Sequence, residues 1–257
     1  MDLETNETTD LTNEIEICLD VFNSINEYAA KHEIEELWYI ESLLDNEGIK
    51  PNTIIIFNEE TSVSMLAYSV TLNEPKLAEI FLKYGADPDL KDKKGRAPLI
   101  YAVLTGKEIT KILLKYGADP NTTDPHGRTP LMFSIMEPYV ELEILKDLIR
   151  AGADLNIQDD KGMTALMWAV IGRDRSSEFL FSGLIRTGGF RAEGWQSWCT
   201  LALLYIASER EIQLETVKLL LNNGANKNLV SKSGMTALTH AITNNDDEII
   251  NILTGLN

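Results

Sequence analysis

The chain has 257 residues, 44% of them hydrophobic, a formal charge of −17 and two cysteines, Cys18 and Cys199. That is enough apolar material for a substantial core, in one elongated array or two small domains. The acidity argues against nonspecific nucleic-acid binding, which needs basic surface, and two cysteines make no disulfide framework and suit a reducing compartment.

The first 60 residues carry most of that charge: 16 Asp and Glu against Lys31 and Lys50, a net of −14. The other 197 residues hold 24 acids and 21 bases, a net of −3. The start of the chain, Met1-Asp2-Leu3-Glu4-Thr5, lacks the basic and apolar regions of a secretory signal. No apolar run approaches the roughly 20 residues that span a bilayer. A cytoplasmic protein with no membrane association is the expectation. Helices over 11–30 and 33–46, ending at Gly48, read as an acidic cap over residues 1–60 or a diverged first repeat.

From residue 61 onward one phrase recurs: Gly85-Ala86-Asp87-Pro88-Asp89, Gly117-Ala118-Asp119-Pro120-Asn121, Gly152-Ala153-Asp154-Leu155-Asn156 and Gly224-Ala225-Asn226-Lys227-Asn228. Gly188-Gly189 is a degenerate copy. A fixed period of this kind signals stacked supersecondary units. Each unit opens with a turn: Asp92 to Gly95, Asp124 to Gly127, Asp159 to Gly162, and the variant Ser231 to Gly234. A short helix follows, entered through Ala97-Pro98-Leu99, Thr129-Pro130-Leu131, Thr164-Ala165-Leu166 or Thr236-Ala237-Leu238. Thr can cap its free N–H groups, and Pro is tolerated in the first turn. A longer apolar helix comes next, over Ile109–Tyr116, Leu142–Ala151 or Leu214–Asn223. The recurrent Gly ends that helix in a left-handed conformation, and the Asp or Asn two residues later shapes the turn. The repeated carboxylates therefore read as turn residues and not as metal ligands.

Asp-x-x-Gly-x-Thr-Pro-Leu, two helices and Gly-Ala-Asp-x-Asn together resemble the ankyrin repeat, over about residues 61–254. The resemblance implies an all-α helical solenoid with short hairpin-type turns between units. Counting the helix pairs that end at Gly48, Gly85, Gly117, Gly152, Gly188, Gly224 and the C-terminus gives about seven. The array would occupy 61–257, with an irregular unit at 188–223 and a C-terminal capping pair at 235–254. In the irregular unit Phe190 to Trp198 replaces the usual turn, and Ala202-Leu203-Leu204 is expected to resume the first-helix position. In the last pair Asp246-Asp247-Glu248 stands at a helix N-terminus, where anions are favoured.

Catalytic patterns are thin. His32, His126 and His240 lie far apart in the sequence, and none has a metal-like partner at i+3 or i+4. No Cys-x-x-Cys, His-Glu-x-x-His, Gly-x-Ser-x-Gly or P-loop pattern occurs. An enzyme would need a site in the irregular segment, around Glu193 or Cys199. The reading is a non-catalytic module with no cofactor and no metal, a monomer when unbound, whose partner is another protein.

The resemblance also implies where the partner docks: the concave face, made of the turn tips and the exposed side of the first helices. Carried onto this sequence, the first tip offers Lys93, Lys94 and Arg96, with Leu104 and Thr105 on its helix. The second offers Pro125, His126 and Arg128, with Met136 and Glu137. The third offers Asp160, Lys161 and Met163, with Ile171 and Gly172. Trp195 or Trp198 would stand near the same edge. Basic tips on an acidic chain, beside apolar anchors, suit an acidic or mixed partner surface. Two alternatives stay open. The acidic cap could meet a basic toxin or enzyme that the chain inhibits, as an immunity protein does, or the chain could be a microbial effector that captures a host protein.

Overall fold

The computed structural model describes residues 23–31, 34–46, 50–58, 61–136, 141–172 and 195–255. Its helices are α1 (residues 23–31), α2 (Ile34–Asn46), α3 (Met65–Thr71), α4 (Pro75–Lys83), α5 (Pro98–Thr105), α6 (Lys107–Lys115), α7 (Pro130–Met136), α8 (Leu142–Arg150), α9 (Ala165–Ile171), α10 (Trp195–Asn222), α11 (Ala237–Thr243) and α12 (Asp247–Thr254). Two strands, β1 (Ile54–Asn58) and β2 (Thr61–Ser64), form an antiparallel hairpin. The expectation of an all-α chain is corrected at this point. Ile54-Ile55-Ile56-Phe57 is a β-branched and aromatic run that packs better on a pleated strand than in a helix. Ser64, the last residue of β2, then caps α3 by accepting from Ala67 N at 3.1 Å.

The chain divides into two compact units, residues 1–134 with 143–153, and residues 135–142 with 154–257. In the first unit α3 packs on α4 and α5, α5 on α6, and α4 on α6. Leu66, Leu77, Phe81, Leu99, Ile100, Ile109 and Leu113 are fully buried between them. Among the second helices, Lys115 pairs with Glu79 at 3.2 Å, and Lys107 and Lys111 reach Glu143 and Asp147 of α8 at 3.8 and 3.6 Å. These exposed pairs fix register more than they add stability.

The Gly-Ala-Asp phrase behaves as expected. Gly85, Gly117, Gly152 and Gly224 all have φ between 87° and 93°, a conformation that costs glycine little. The next N–H turns back to the helix: Ala86 to Phe81 O, Ala118 to Leu113 O, Ala153 to Leu148 O and Ala225 to Leu220 O. The Asp or Asn after it accepts from the N–H two residues on, at 2.9–3.0 Å in all four copies. The fifth residue has a task that the sequence did not disclose. Asp89 Oδ1 accepts from Asp119 N at 2.9 Å, and Asn156 Oδ1 accepts from Asn226 N at 2.7 Å. Each phrase thus bonds to the phrase of the neighbouring unit.

That last bond changes the repeat order in the second unit. Asn156 and Asn226 are 70 residues apart, yet their loops are direct neighbours. The tips agree, since Lys232 N donates to Lys161 O at 2.9 Å. So does the helix packing, since α9 touches both α10 and α11. Gln213 of α10 donates to Ala169 O and Val170 O at 3.0 and 3.3 Å, and so covers the C-terminal end of α9. The described residues hold six helix pairs. Gly188-Gly189 and residues 173–194 around it lie outside the described residues, as does most of the cap before residue 23. Residues 202–204, expected to begin a first helix, belong to α10, which runs through to Asn222.

Candidate functional site

All four tips share one backbone plan. Gly95, Gly127, Gly162 and Gly234 donate to the carbonyl three residues back, at 2.7–3.0 Å. Asp92, Asp124, Asp159 and Ser231 donate to the carbonyl four residues on. The side chain of that first residue then closes the turn from inside. Asp92 Oδ1 accepts from Arg96 N, Asp124 Oδ1 from His126 N and Arg128 N, and Asp159 Oδ1 from Lys161 N and Met163 N.

The second carboxylate oxygen meets a different partner in each tip. Asp92 Oδ2 takes the Tyr101 hydroxyl at 2.5 Å. Asp124 Oδ2 takes Arg128 Nη2 at 2.6 Å and Nε at 2.9 Å. Asp159 Oδ2 takes the indole N–H of Trp168 at 3.1 Å. Burial pushes the Asp124 carboxyl up, but the hydrogen bonds and charge of Arg128 outweigh it, so it lies below the ordinary carboxylate range. Burial, with the Asp92 bond and charge, holds the Tyr101 hydroxyl far above the usual phenol range. These carboxylates are occupied by their own turns.

The aromatic partners were not anticipated as a set. Tyr68, Tyr101, Phe133, Trp168 and His240 each occupy the fourth residue of a first helix. All are half-buried. The Arg96 and Arg128 guanidiniums lie 4.6 Å from the Tyr101 and Phe133 ring centres. The signal was legible as an aromatic or imidazole ring recurring five residues after the tip glycine's successor. Burial lowers the His240 imidazole, which stays neutral at neutral pH.

This sorts the expected contact residues. The Arg128 side chain lies on the Asp124 carboxylate and the Phe133 ring and the Arg96 side chain on the Tyr101 ring, 29% and 28% exposed. Met163, at the equivalent position of the third tip, is only 6% exposed. Lys93, Lys94, Pro125 and His126 are exposed, and Leu104 on α5 is 38% exposed. The two tips that carry them touch. Lys91 Nζ donates to Thr123 O at 2.8 Å, and a Cβ on Gly95 would come within 2.8 Å of Pro125. In the second unit Asp160 and Lys161 are exposed beside the exposed Lys232 and Ser233, while Ile171 and Gly172 are half-buried. Thr105 and Met136 are half-buried; Glu137 lies outside the described residues. Trp195 and Trp198 fall in the first turn of α10, and their side chains lie outside the described residues.

Among the described residues no group of three His, Cys, Asp or Glu could hold a metal ion, and no helix is long and apolar enough to cross a membrane. The family model for ankyrin repeats (three copies) matches residues 64–159 and 193–257, more than half of the chain. The chain belongs to the ankyrin-repeat family. Such repeats are generally protein-interaction modules and typically not enzymes. The unmatched stretch between the two parts, residues 160–192, begins within the third tip and includes residues 173–192. No curated protein matches this chain.

Proposed function

We propose that this ankyrin-repeat chain is a non-catalytic binding module whose contact surface is the pair of adjoining tips in its first unit, with the exposed end of α5. Lys93, Lys94 and His126 supply the polar contacts, and Leu104 the apolar one. The observation that carries this reading is a division of labour. Arg96 and Arg128 hold their turns together, whereas Lys93, Lys94 and His126 stand exposed on turns that are already complete. Side chains presented by prebuilt turns lose little further entropy on binding. Two adjacent lysines on an acidic chain suit an acidic or mixed partner surface, which they would attract and orient.

A photoreactive amino acid placed in turn at Lys94, Leu104 and the outer-face control Lys76 tests the reading in cells that express the protein. One partner protein should crosslink at 94 and 104 and not at 76. The Lys93→Glu, Lys94→Glu double substitution should abolish the crosslink at 104 while leaving the helical circular-dichroism signal unchanged. Capture of the same partner at 76 alone, or capture that survives both charge reversals, would remove these tips from the account.

A further inference from the structure

A second surface in the first unit has a different chemistry. Helix α2 buries Ile40, Leu43 and Leu44 and turns its opposite side outward. There Trp38 is 70% exposed and Tyr39 is 40% exposed, the only adjacent pair among the large exposed hydrophobic residues described. Trp38, Glu41 and Asp45 follow at i, i+3 and i+7, one stripe along a helix. Asp45 is exposed and bonds the Tyr84 hydroxyl; burial first, then that bond and the charges of Asp45 and Glu41, push that phenol up. Ser42 spends its hydroxyl on Tyr39 O, so it adds no polar demand to the stripe. Glu27 on α1 is exposed as well.

An indole left in water forgoes the transfer free energy of a large aromatic ring, and burying it on association recovers that. Its surroundings choose the partner. Residues 1–60 have a net charge of −14, so an acidic surface would be repelled and a basic one drawn in. Trp faces also attract Lys and Arg cations directly.

We infer that the exposed Trp38–Tyr39 face of α2 docks a basic amphipathic segment of a partner protein, with an apolar side chain against the indole and Lys or Arg beside Glu41 and Asp45. It is independent of the tip surface and could serve a second partner or a second segment of the same one.

The probe is a synthetic leucine/lysine amphipathic helix, with two controls: the same helix with glutamate for lysine, and one with serine for leucine. The intact chain carries 5-fluorotryptophan, and Trp38→Phe assigns its fluorine resonance. The leucine/lysine helix should shift the Trp38 resonance and leave that of Trp168 in place. Trp38→Ala should weaken binding at least tenfold with an unchanged thermal melt, and Glu41→Gln should weaken it a few-fold with a shallower salt dependence. An unmoved Trp38 resonance in the unsubstituted chain overturns the inference whatever the variants do. Equal binding of the serine/lysine helix overturns it too, because attraction to the overall charge then explains everything. Crosslinking at the tips is unaffected by Trp38→Ala, so the two readings fail separately.

Discussion

Two junctions between neighbouring tips can be set side by side. In the first unit the tips at Asp92 and Asp124 are 32 positions apart, one ordinary repeat. In the second unit the tips at Asp159 and Ser231 are 72 positions apart, yet they touch through Lys161 O and Lys232 N. The phrase-to-phrase bond is the same in both, from Asp119 N to Asp89 and from Asn226 N to Asn156. Docking is decided by local turn chemistry and by which apolar faces meet, and it is indifferent to the length of chain between. The separation of 70 residues from Asn156 to Asn226 is close to two repeats.

The largest effect should come from breaking the longer junction. Gly162 has φ +73°, and a Cβ there would lie 2.7 Å from Lys232 N, against main chain that cannot move aside. Gly162→Val should destabilise the second unit by about 3 kcal/mol or more, read as a fall in the urea midpoint. Gly234→Ala, at φ +77° with nothing within 4 Å, should cost only about 1 kcal/mol. If the two cost the same, the tip-to-tip contact contributes nothing.

Next in size is the clamp of α10 on α12. Arg210 holds Asp246, the N-cap of α12, at 2.5 and 2.7 Å and reaches Glu248 at 3.4 Å. Arg210→Ala should cost about 2 kcal/mol, the usual loss for hydrogen bonds to a charged group. Burial pushes Asp246 up, but the Arg210 bond, the Ile249 N–H and the Arg210 charge bring it below the normal carboxylate range. A depressed carboxylate stabilises the fold fully above its unfolded value near 4, and that contribution is lost as pH falls through the lower folded value. The acid limb of a stability–pH curve should therefore flatten in Arg210→Ala.

Asp89 has the opposite sign. Burial, with Asp119 and Asp87 nearby, raises its carboxyl despite the Asp119 N–H and Lys91. Its ionised form costs stability at neutral pH, and the cost is relieved as pH falls through the raised folded value toward the unfolded one. Asp89→Asn gives the first junction the residue that the second already has at Asn156. It should raise the melting temperature slightly at pH 7, with the advantage fading toward pH 4.

The smallest effect concerns the intervening chain. In the first unit α5 and α6 are joined by Gly106 alone. Replacing residues 173–194 with a shorter glycine–serine linker should change the second unit's stability by less than about 1 kcal/mol, since loop length enters only logarithmically. Loss of cooperative unfolding in that variant would mean that the junction depends on the chain between its tips.

Much of this was legible because each device is local. Thr164 and Thr236 cap α9 and α11 by accepting from Met167 N and Thr239 N, and Asp246 caps α12 as its position implied. The recurrent glycines and the Asx turns behind them follow from backbone sterics alone. What escaped was long-range or depended on exchange within a tip. Nothing in Ala202-Leu203-Leu204 separates the start of a new helix from the middle of an existing one, because the apolar period is the same. Met163 and Arg96 occupy one site in equivalent turns. The turn pattern does not say that the first is buried and the second half-buried. Trp38 was invisible as an exposed residue, since a helical pattern shows which faces are apolar and not which is left uncovered.

The tips recognise one another largely through main-chain atoms, as Lys232 N does Lys161 O. The turns close without the outward side chains at their tips. Positions 93, 94, 126, 160, 161 and 232 could be exchanged broadly with the architecture intact, so affinity and foldability can evolve on separate residues. A combinatorial library at those positions would sample new specificities on a scaffold that does not register the change.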